Sequence, residues 1–330
     1  MIDFETASAA YALPAAGCAG GSSWIEAAVR PYADEVRTDA NGNVFARVGG
    51  GDRRLAFLAH ADARGFVASF VEQSGAVRFL APPWDAGETP AGTRVRFENG
   101  IKGVIAADGT ELAVRPSGGA RAHSDYYIDI GSESAEETLR SIRPGDRAVR
   151  DFLPHTGDFG AVCAFDAGLV GAKTLLCALK TIRTGGVAPK NDLLFVFGRS
   201  GNEPFDGTAV YEGLNVSAAI AVGAYHTAPG SGGTDAGVRI GAGPVATAKA
   251  DLYFSPSVYG AVLEAASRLN VALQHSVQAH IPAADAMMES DEGVVAAALG
   301  IPVRGGRIYR ESDVGGAARI VAELGGTRWM

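Results

Sequence analysis

The pattern of hydrophobic residues changes near residue 65 and changes back near residue 155. Outside that segment, short apolar runs typical of buried strands alternate with longer runs that have helical spacing. Inside it, short β-like runs follow one another closely and are separated by Gly and Pro residues. Alternating strands and helices predict a mixed sheet between layers of helices, whereas closely spaced strands predict a small barrel. The predicted fold class is therefore α/β with an inserted small β-barrel.

The same change of pattern predicts the domain boundaries. We predict an α/β domain made of residues 1–66 and 156–330, and an inserted β-barrel domain of residues 67–155. The elements predicted for the α/β domain are strands at 44–48, 55–59, 192–197 and 218–222, and helices at 22–30, 167–184, 257–269, 292–299 and 313–324.

Composition limits the partners and the cellular location. The 330 residues carry a formal net charge of -8, which argues against nucleic acid and anionic membranes as partners. No uncharged apolar run approaches the roughly 18 residues of a membrane span. The three cysteines are odd in number and too few for a disulfide framework, and they fit a reducing compartment. We therefore predict a soluble, cytoplasmic protein.

His60 and Asp62 directly follow the apolar run at residues 55–59. Side chains two residues apart on a strand point the same way, so an imidazole and a carboxylate would lie side by side at the strand end. Both groups are normal zinc ligands, but a hydrogen-bonded His–Asp pair would give the same spacing. Asp166 is a further candidate ligand, although isolated Asp residues are more often turns or helix caps. The spacing alone leaves both interpretations open.

Several short phrases of the sequence match one known family. They lie at residues 39–44 (Asp-Ala-Asn-Gly-Asn-Val), 59–66 (Ala-His-Ala-Asp-Ala-Arg-Gly-Phe), 128–134, 164–166, 241–244, 284–286 and 300–302. Over nearly its whole length the chain resembles the tetrahedral aminopeptidases, also called glutamyl aminopeptidase-like or cellulase-like. The resemblance implies a cytosolic peptidase fold with two zinc or cobalt ions, whose insertion builds subunit contacts in a homo-oligomer.

The resemblance also shows where the chain departs from the family pattern. The family has two consecutive Glu residues, a general base and a metal ligand, where this chain has Gly201 and Asn202, followed by Glu203. Gly223 stands where the family has an Asp ligand, and Glu311 stands where it has a His ligand. A glycine offers no side-chain ligand, and two divalent ions need carboxylates to offset their charge. The departures therefore predict an impaired dinuclear metal site.

Two functions remain open at this point. The first is an aminopeptidase-family homologue that is catalytically weak or inactive, and that binds small peptides or partners an active paralogue in a mixed assembly. The alternative is a metal-dependent aminopeptidase or hydrolase that acts on peptide N-termini through a rebuilt mononuclear site. The cofactor is accordingly one divalent ion (zinc, cobalt or manganese) or none.

The resemblance and the spacing together define the predicted site residues. They are the metal ligands His60, Asp166 and Glu311, the catalytic residues Asp62 and Glu203, the altered positions Gly201, Asn202 and Gly223, and His226 at the rim.

Overall fold

The computed structural model describes residues 23–61, 65–81, 90–108, 125–151, 155–163, 169–199, 214–227, 237–249, 255–278 and 295–327. The described helices are α1 (Ser23–Val29), α2 (Ala135–Leu139), α3 (Val170–Thr184), α4 (Pro256–Arg268) and α5 (Glu311–Gly326). The strands of the large sheet are β1 (Glu35–Thr38), β2 (Val44–Val48), β3 (Arg54–His60), β10 (His155–Thr156), β11 (Val162–Cys163), β12 (Asp192–Gly198), β13 (Ala218–Thr227), β14 (Val245–Lys249), β15 (Gln274–Gln278), β16 (Val295–Arg304) and β17 (Ile308–Tyr309). Among the described helices, none is long and apolar enough to cross a membrane.

The large sheet is mixed, and its centre is parallel. Its described strands lie in the order β1-β2-β12-β3-β13-β16-β17-β11-β10, with β14 and β15 branching from β16. Strands β12, β3, β13 and β16 run parallel to one another. Their carboxyl ends therefore meet at one edge of the sheet, which is where open α/β sheets usually place their ligands.

Both faces of this sheet are buried, which explains the apolar runs in the sequence. Every residue of β12 is buried. One face, including Phe57, Phe195 and Ile220, forms a single core with helices α1, α3, α4 and α5. The other face forms a second buried cluster that includes Leu58 and Val196. The α/β fold class is therefore confirmed.

The β-rich segment forms a closed six-stranded barrel in the order β4-β5-β8-β7-β6-β9. Its strands are β4 (Gly65–Val71), β5 (Val77–Leu80), β6 (Arg94–Phe97), β7 (Lys102–Ala107), β8 (Tyr126–Asp129) and β9 (Arg147–Arg150). Helix α2 begins after Ser134, whose hydroxyl accepts the Glu137 N–H at 3.3 Å. The barrel has its own core, which includes Phe66, Phe79 and Phe97. An inserted barrel is thus confirmed, while the exact boundaries at 67 and 155 stay a prediction.

The helix predicted at residues 292–299 is wrong, because residues 295–304 form strand β16. The run Val-Ala-Ala-Ala-Leu is rich in alanine, the strongest helix former. Strand β16 instead lies between β13 and β14, and its residues Ala296–Leu299 are buried. Tertiary burial at the centre of a sheet overrides the local preference here.

Candidate metal centre

His60 ends strand β3 at the carboxyl edge of the parallel sheet. It pairs in register with Gly198 at the end of β12. On the other side, the register pairs Leu58 with Ala221. If this register is continued by two residues, Gly223 of β13 lies opposite His60. Because side chains alternate along a strand, positions 60 and 223 face the same side of the sheet.

Among the described residues, Gly223 leaves open space on that side. A Cβ atom added to Gly223 would have no heavy atom of the described residues within 4 Å, leaving aside its chain neighbours. Its φ also lies outside the left-handed region, so any L-residue could take this backbone conformation. A side chain at this position would therefore fit beside His60, and the glycine supplies none.

Helix α3 touches the same part of β13. A Cβ atom on Gly171 would lie 3.0 Å from the Cα atom of Gly223 and 2.1 Å from the carbonyl oxygen of Val222. This close approach requires glycine in the first turn of α3. It fixes the start of that helix against the strand that carries Gly223.

Glu311, two residues further along from the end of β17, is the first residue of helix α5. Its Oε1 atom accepts a hydrogen bond from the Lys173 ammonium, one half-turn beyond Gly171 in α3. The same ammonium donates to the hydroxyl of Tyr309 at 3.2 Å. The Lys173 side chain is 2% exposed and that of Glu311 is 19% exposed. This carboxylate is thus the counter-ion of a buried ammonium.

Tyr309 completes this polar cluster. Burial raises the pKa of the Tyr309 phenol far above its usual range, and the nearby Glu311 carboxylate raises it further. The phenol therefore stays protonated, and it hydrogen-bonds Glu311. We call these three residues, Lys173, Tyr309 and Glu311, the ammonium cluster.

Sequence reasoning missed Lys173, although a signal was present. Lys173 lies four residues after Leu169 and three before Leu176, so it shares the apolar side of the helix. A Lys on such a stripe requires a buried partner. The sequence does not tell which acidic side chain that partner is.

A turn before β2 supports the same edge of the sheet. The Oδ1 atom of Asp39 accepts the backbone N–H groups of Asn41 at 3.0 Å and Asn43 at 2.9 Å. The buried Asn43 side chain in turn accepts the N–H of Arg199 at 2.7 Å, just after β12. The phrase at residues 39–44 therefore has a structural role, because it holds the end of β12 in place.

A second sequence motif that matches the family, at residues 241–244, packs against helix α5. The buried Asp313 carboxylate accepts the N–H groups of Gly241 at 2.7 Å and Gly243 at 2.9 Å. Burial raises the pKa of Asp313, and these two hydrogen bonds oppose that effect only in part. The Gln274 amide also donates to the Gly243 carbonyl at 2.7 Å. These contacts fix the first turn of α5, where Glu311 lies.

His226 lies near the end of β13, opposite Val303 of β16. It is exposed. It stands three residues from Gly223, so its side chain faces the other side of the strand. Its assignment to the rim of the site stays a prediction.

The other predicted site residues lie outside the described residues. These are Asp62, Asp166, Gly201, Asn202 and Glu203. Their roles, and the convergence of Asp166 with His60 and Glu311, stay predictions.

The described residues by themselves do not supply enough ligands for a pair of divalent ions. Across the ten described ranges, no group of three or more His, Cys, Asp or Glu side chains could hold a metal ion. His60 offers an imidazole, Gly223 offers nothing, and the Glu311 carboxylate already binds the Lys173 ammonium. A dinuclear centre needs several carboxylates around the two ions.

The family model for the M42 glutamyl aminopeptidases matches residues 42–306 of this chain. The chain belongs to the M42 family. A relative from Acetivibrio thermocellus, named "Putative aminopeptidase", is 26% identical over 310 residues, which is 89% of each chain. The predicted family resemblance is therefore confirmed, and M42 members are metallopeptidases.

Solved structures of similar proteins agree with this M42 fold. The aminopeptidase APDkam598 of the archaeon Desulfurococcus kamchatkensis superposes with a TM-score of 0.82 at 21% identity, covering 98% of this chain and 94% of that one. The TET1 peptidase of Pyrococcus horikoshii superposes with a TM-score of 0.79 at 22% identity, covering 92% of each chain. That peptidase is described as assembling into a tetrahedron or a large octahedral shell.

Proposed function

We propose that this chain is a catalytically impaired M42 aminopeptidase homologue. It binds small peptides, or it partners an active paralogue in a mixed assembly, and it turns over peptides weakly or not at all. The position of Gly223 carries this proposal. The glycine offers no ligand there, and the space beside His60 that a side chain could occupy is filled by no described side chain.

The charge balance supports the same function. Two divalent ions bring four positive charges, and carboxylates must offset them. In the described part of the site, the Glu311 carboxylate is already offset by Lys173. The sequence also replaces two consecutive Glu residues of the family pattern with Gly201 and Asn202. Loss of a general base alone typically lowers the rate by roughly 10²–10⁴-fold.

The alternative function is a metal-dependent aminopeptidase with a rebuilt mononuclear site. His60 favours it, because an imidazole at the carboxyl end of a central parallel strand is well placed to bind an ion. In this alternative Asp166 and Glu311 complete the ligand set, and Asp62 and Glu203 act in catalysis. Glu311 could join that set only by giving up its contact with Lys173.

The assembly is proposed from the fold and the relatives. We infer a homo-oligomer, or a mixed assembly, whose contacts involve the inserted barrel. The exposed side chains of Phe70 and Leu80 lie on neighbouring barrel strands and support such a contact. A cytoplasmic location is proposed on the odd number of cysteines and on the family resemblance.

Metal content and turnover decide between the two functions. The protein would be purified without chelator, and bound zinc, cobalt and manganese measured by mass spectrometry. Aminoacyl anilides would then be assayed with each metal added. The impaired homologue predicts less than one metal ion per chain and no turnover above background, together with peptide binding measured by calorimetry.

Two other results would count against the impaired function. About two metal ions per chain with turnover would contradict the impaired function. One ion per chain, with turnover abolished in His60→Ala, would establish the mononuclear alternative.

A further inference from the structure

We propose that the Lys173 ammonium is a fixed internal cation that takes the place of a metal ion at the Glu311 carboxylate. The inference deepens the proposed function. It rests on that function in one respect only, namely that the Glu311 carboxylate needs no metal ion. Its evidence comes from helix α3 and strand β17, and is therefore separate from the open space at Gly223.

The described residues give the ammonium one charged and one neutral hydrogen-bond partner. Lys173 contacts Glu311 through a charged hydrogen bond and Tyr309 through a hydrogen bond of 3.2 Å. Its Nζ atom also lies 5.3 Å from the centroid of the Tyr309 ring. A buried ammonium is tolerated only when an anion and hydrogen bonds replace its water. Glu311 is the anion that meets this requirement.

The arrangement makes Glu311 a poor ligand for an external ion. A metal ion and an ammonium both present positive charge to a carboxylate, but the ammonium is covalently attached and cannot dissociate. To bind a metal ion, Glu311 would have to leave Lys173 buried without its anion, which is strongly unfavourable. The fixed cation therefore keeps the start of α5 in place without metal.

A cation-rescue experiment tests this replacement. Melting temperatures would be measured for the wild type, Lys173→Met and Lys173→Met/Glu311→Gln, each with a chelator and with zinc chloride. Zinc should not stabilise the wild type through Glu311, so Glu311→Gln should leave its zinc affinity unchanged. Lys173→Met should lose roughly 5 °C or more in chelator, because Glu311 then lacks its cation.

Zinc should then restore about half or more of that loss in Lys173→Met, since the carboxylate can accept an external cation. The double variant should show no response to zinc, because Gln carries no charge. It should also be more stable in chelator than Lys173→Met alone.

An ion pair on the same helix serves as the control. Arg183 in the last turn of α3 pairs with Asp34, and their side chains are 34% and 49% exposed. Arg183→Met should change the melting temperature by about 2 °C or less and should show no response to zinc. A zinc response in this control would mark the rescue as unspecific and overturn the proposal.

Three other results would overturn it. They are a Lys173→Met variant as stable as the wild type, a Lys173→Met variant that zinc does not stabilise, and a zinc affinity that is lower in Glu311→Gln than in the wild type. If Lys173→Met does not fold, the last comparison, made by calorimetry, still decides. A wild type with two metal ions and turnover would contradict the proposed function, yet unchanged zinc affinity in Glu311→Gln would preserve this inference.

Discussion

Gly171 of helix α3 lies so close to Val222 of strand β13 that an added Cβ atom would be 2.1 Å from the Val222 carbonyl oxygen. Backbone atoms of a central strand cannot move aside for it. The contact therefore fixes how α3 enters the core, and with it the position of Lys173 one half-turn further along. Two residues without side chains, Gly171 and Gly223, thus set the geometry of this edge.

We expect Gly171→Ala to be strongly destabilising. The added methyl group must push α3 away from β13, which should cost about 3 kcal/mol or more of the free energy of unfolding. Chemical denaturation followed by circular dichroism measures this loss.

Gly260→Ala is the matched control, because Gly260 lies inside helix α4 and a Cβ atom there meets no described residue within 4 Å. Alanine has the higher helix propensity, so this variant should gain about 0.5–1 kcal/mol. Equal effects of the two substitutions would contradict the close packing of α3 on β13.

Asp313 should be important for stability, because its buried carboxylate accepts two backbone N–H groups. In Asp313→Asn, the amide can accept only one of the two N–H groups of Gly241 and Gly243, and its own N–H₂ faces the other. We expect a loss of about 1–3 kcal/mol, measured by thermal or chemical denaturation.

Asp129 provides a comparison for this variant. Its exposed side chain accepts a single backbone N–H, from Gly131 at 2.8 Å. Asp129→Asn should change stability by about 0.5 kcal/mol or less. A similar loss of stability in Asp313→Asn and Asp129→Asn would show that the two backbone hydrogen bonds of the buried Asp313 carboxylate have no special role.

The sequence predicts the sheet well where strands are apolar throughout. Strand β12 reads as an unbroken apolar run because it is buried on both faces. The sequence pattern predicts a helix at β16 because its alanines favour helix locally, and only its neighbours β13 and β14 make it a strand. Local propensity cannot report such long-range pairing.

The candidate site, like the sheet, can be predicted from the sequence only in part. The position of His60 at a strand end follows from the spacing of the residues around it. The contact between Lys173 and Glu311 joins residues 138 positions apart, so no local pattern could reveal it. The carboxylate of Glu311 contacts an ammonium from a helix predicted only as apolar, and its role as a metal ligand stays a prediction.

The barrel surface leads to a prediction about assembly. Phe70 and Leu80 are 60% and 63% exposed on the adjacent strands β4 and β5. Phe70→Lys/Leu80→Lys should lower the molecular mass measured by light scattering, because two charges would be buried in the proposed subunit contact. Val277 is 62% exposed on β15 of the large sheet, and Val277→Lys should leave the mass unchanged. An assembly unaffected by the barrel variant would place the contact elsewhere.

If the proposed function is correct, Gly223→Asp should strengthen metal binding at this edge of the sheet. No described residue occupies the space of the new side chain, the backbone is not strained, and the carboxylate would share one face of the sheet with His60. We expect zinc or cobalt to bind at least about tenfold more tightly than to the wild type, measured by calorimetry. Gly223→Asn has the same shape without the charge and should bind metal no better than the wild type. If Asp and Asn gave the same affinity, a missing ligand at this position would not be what weakens metal binding.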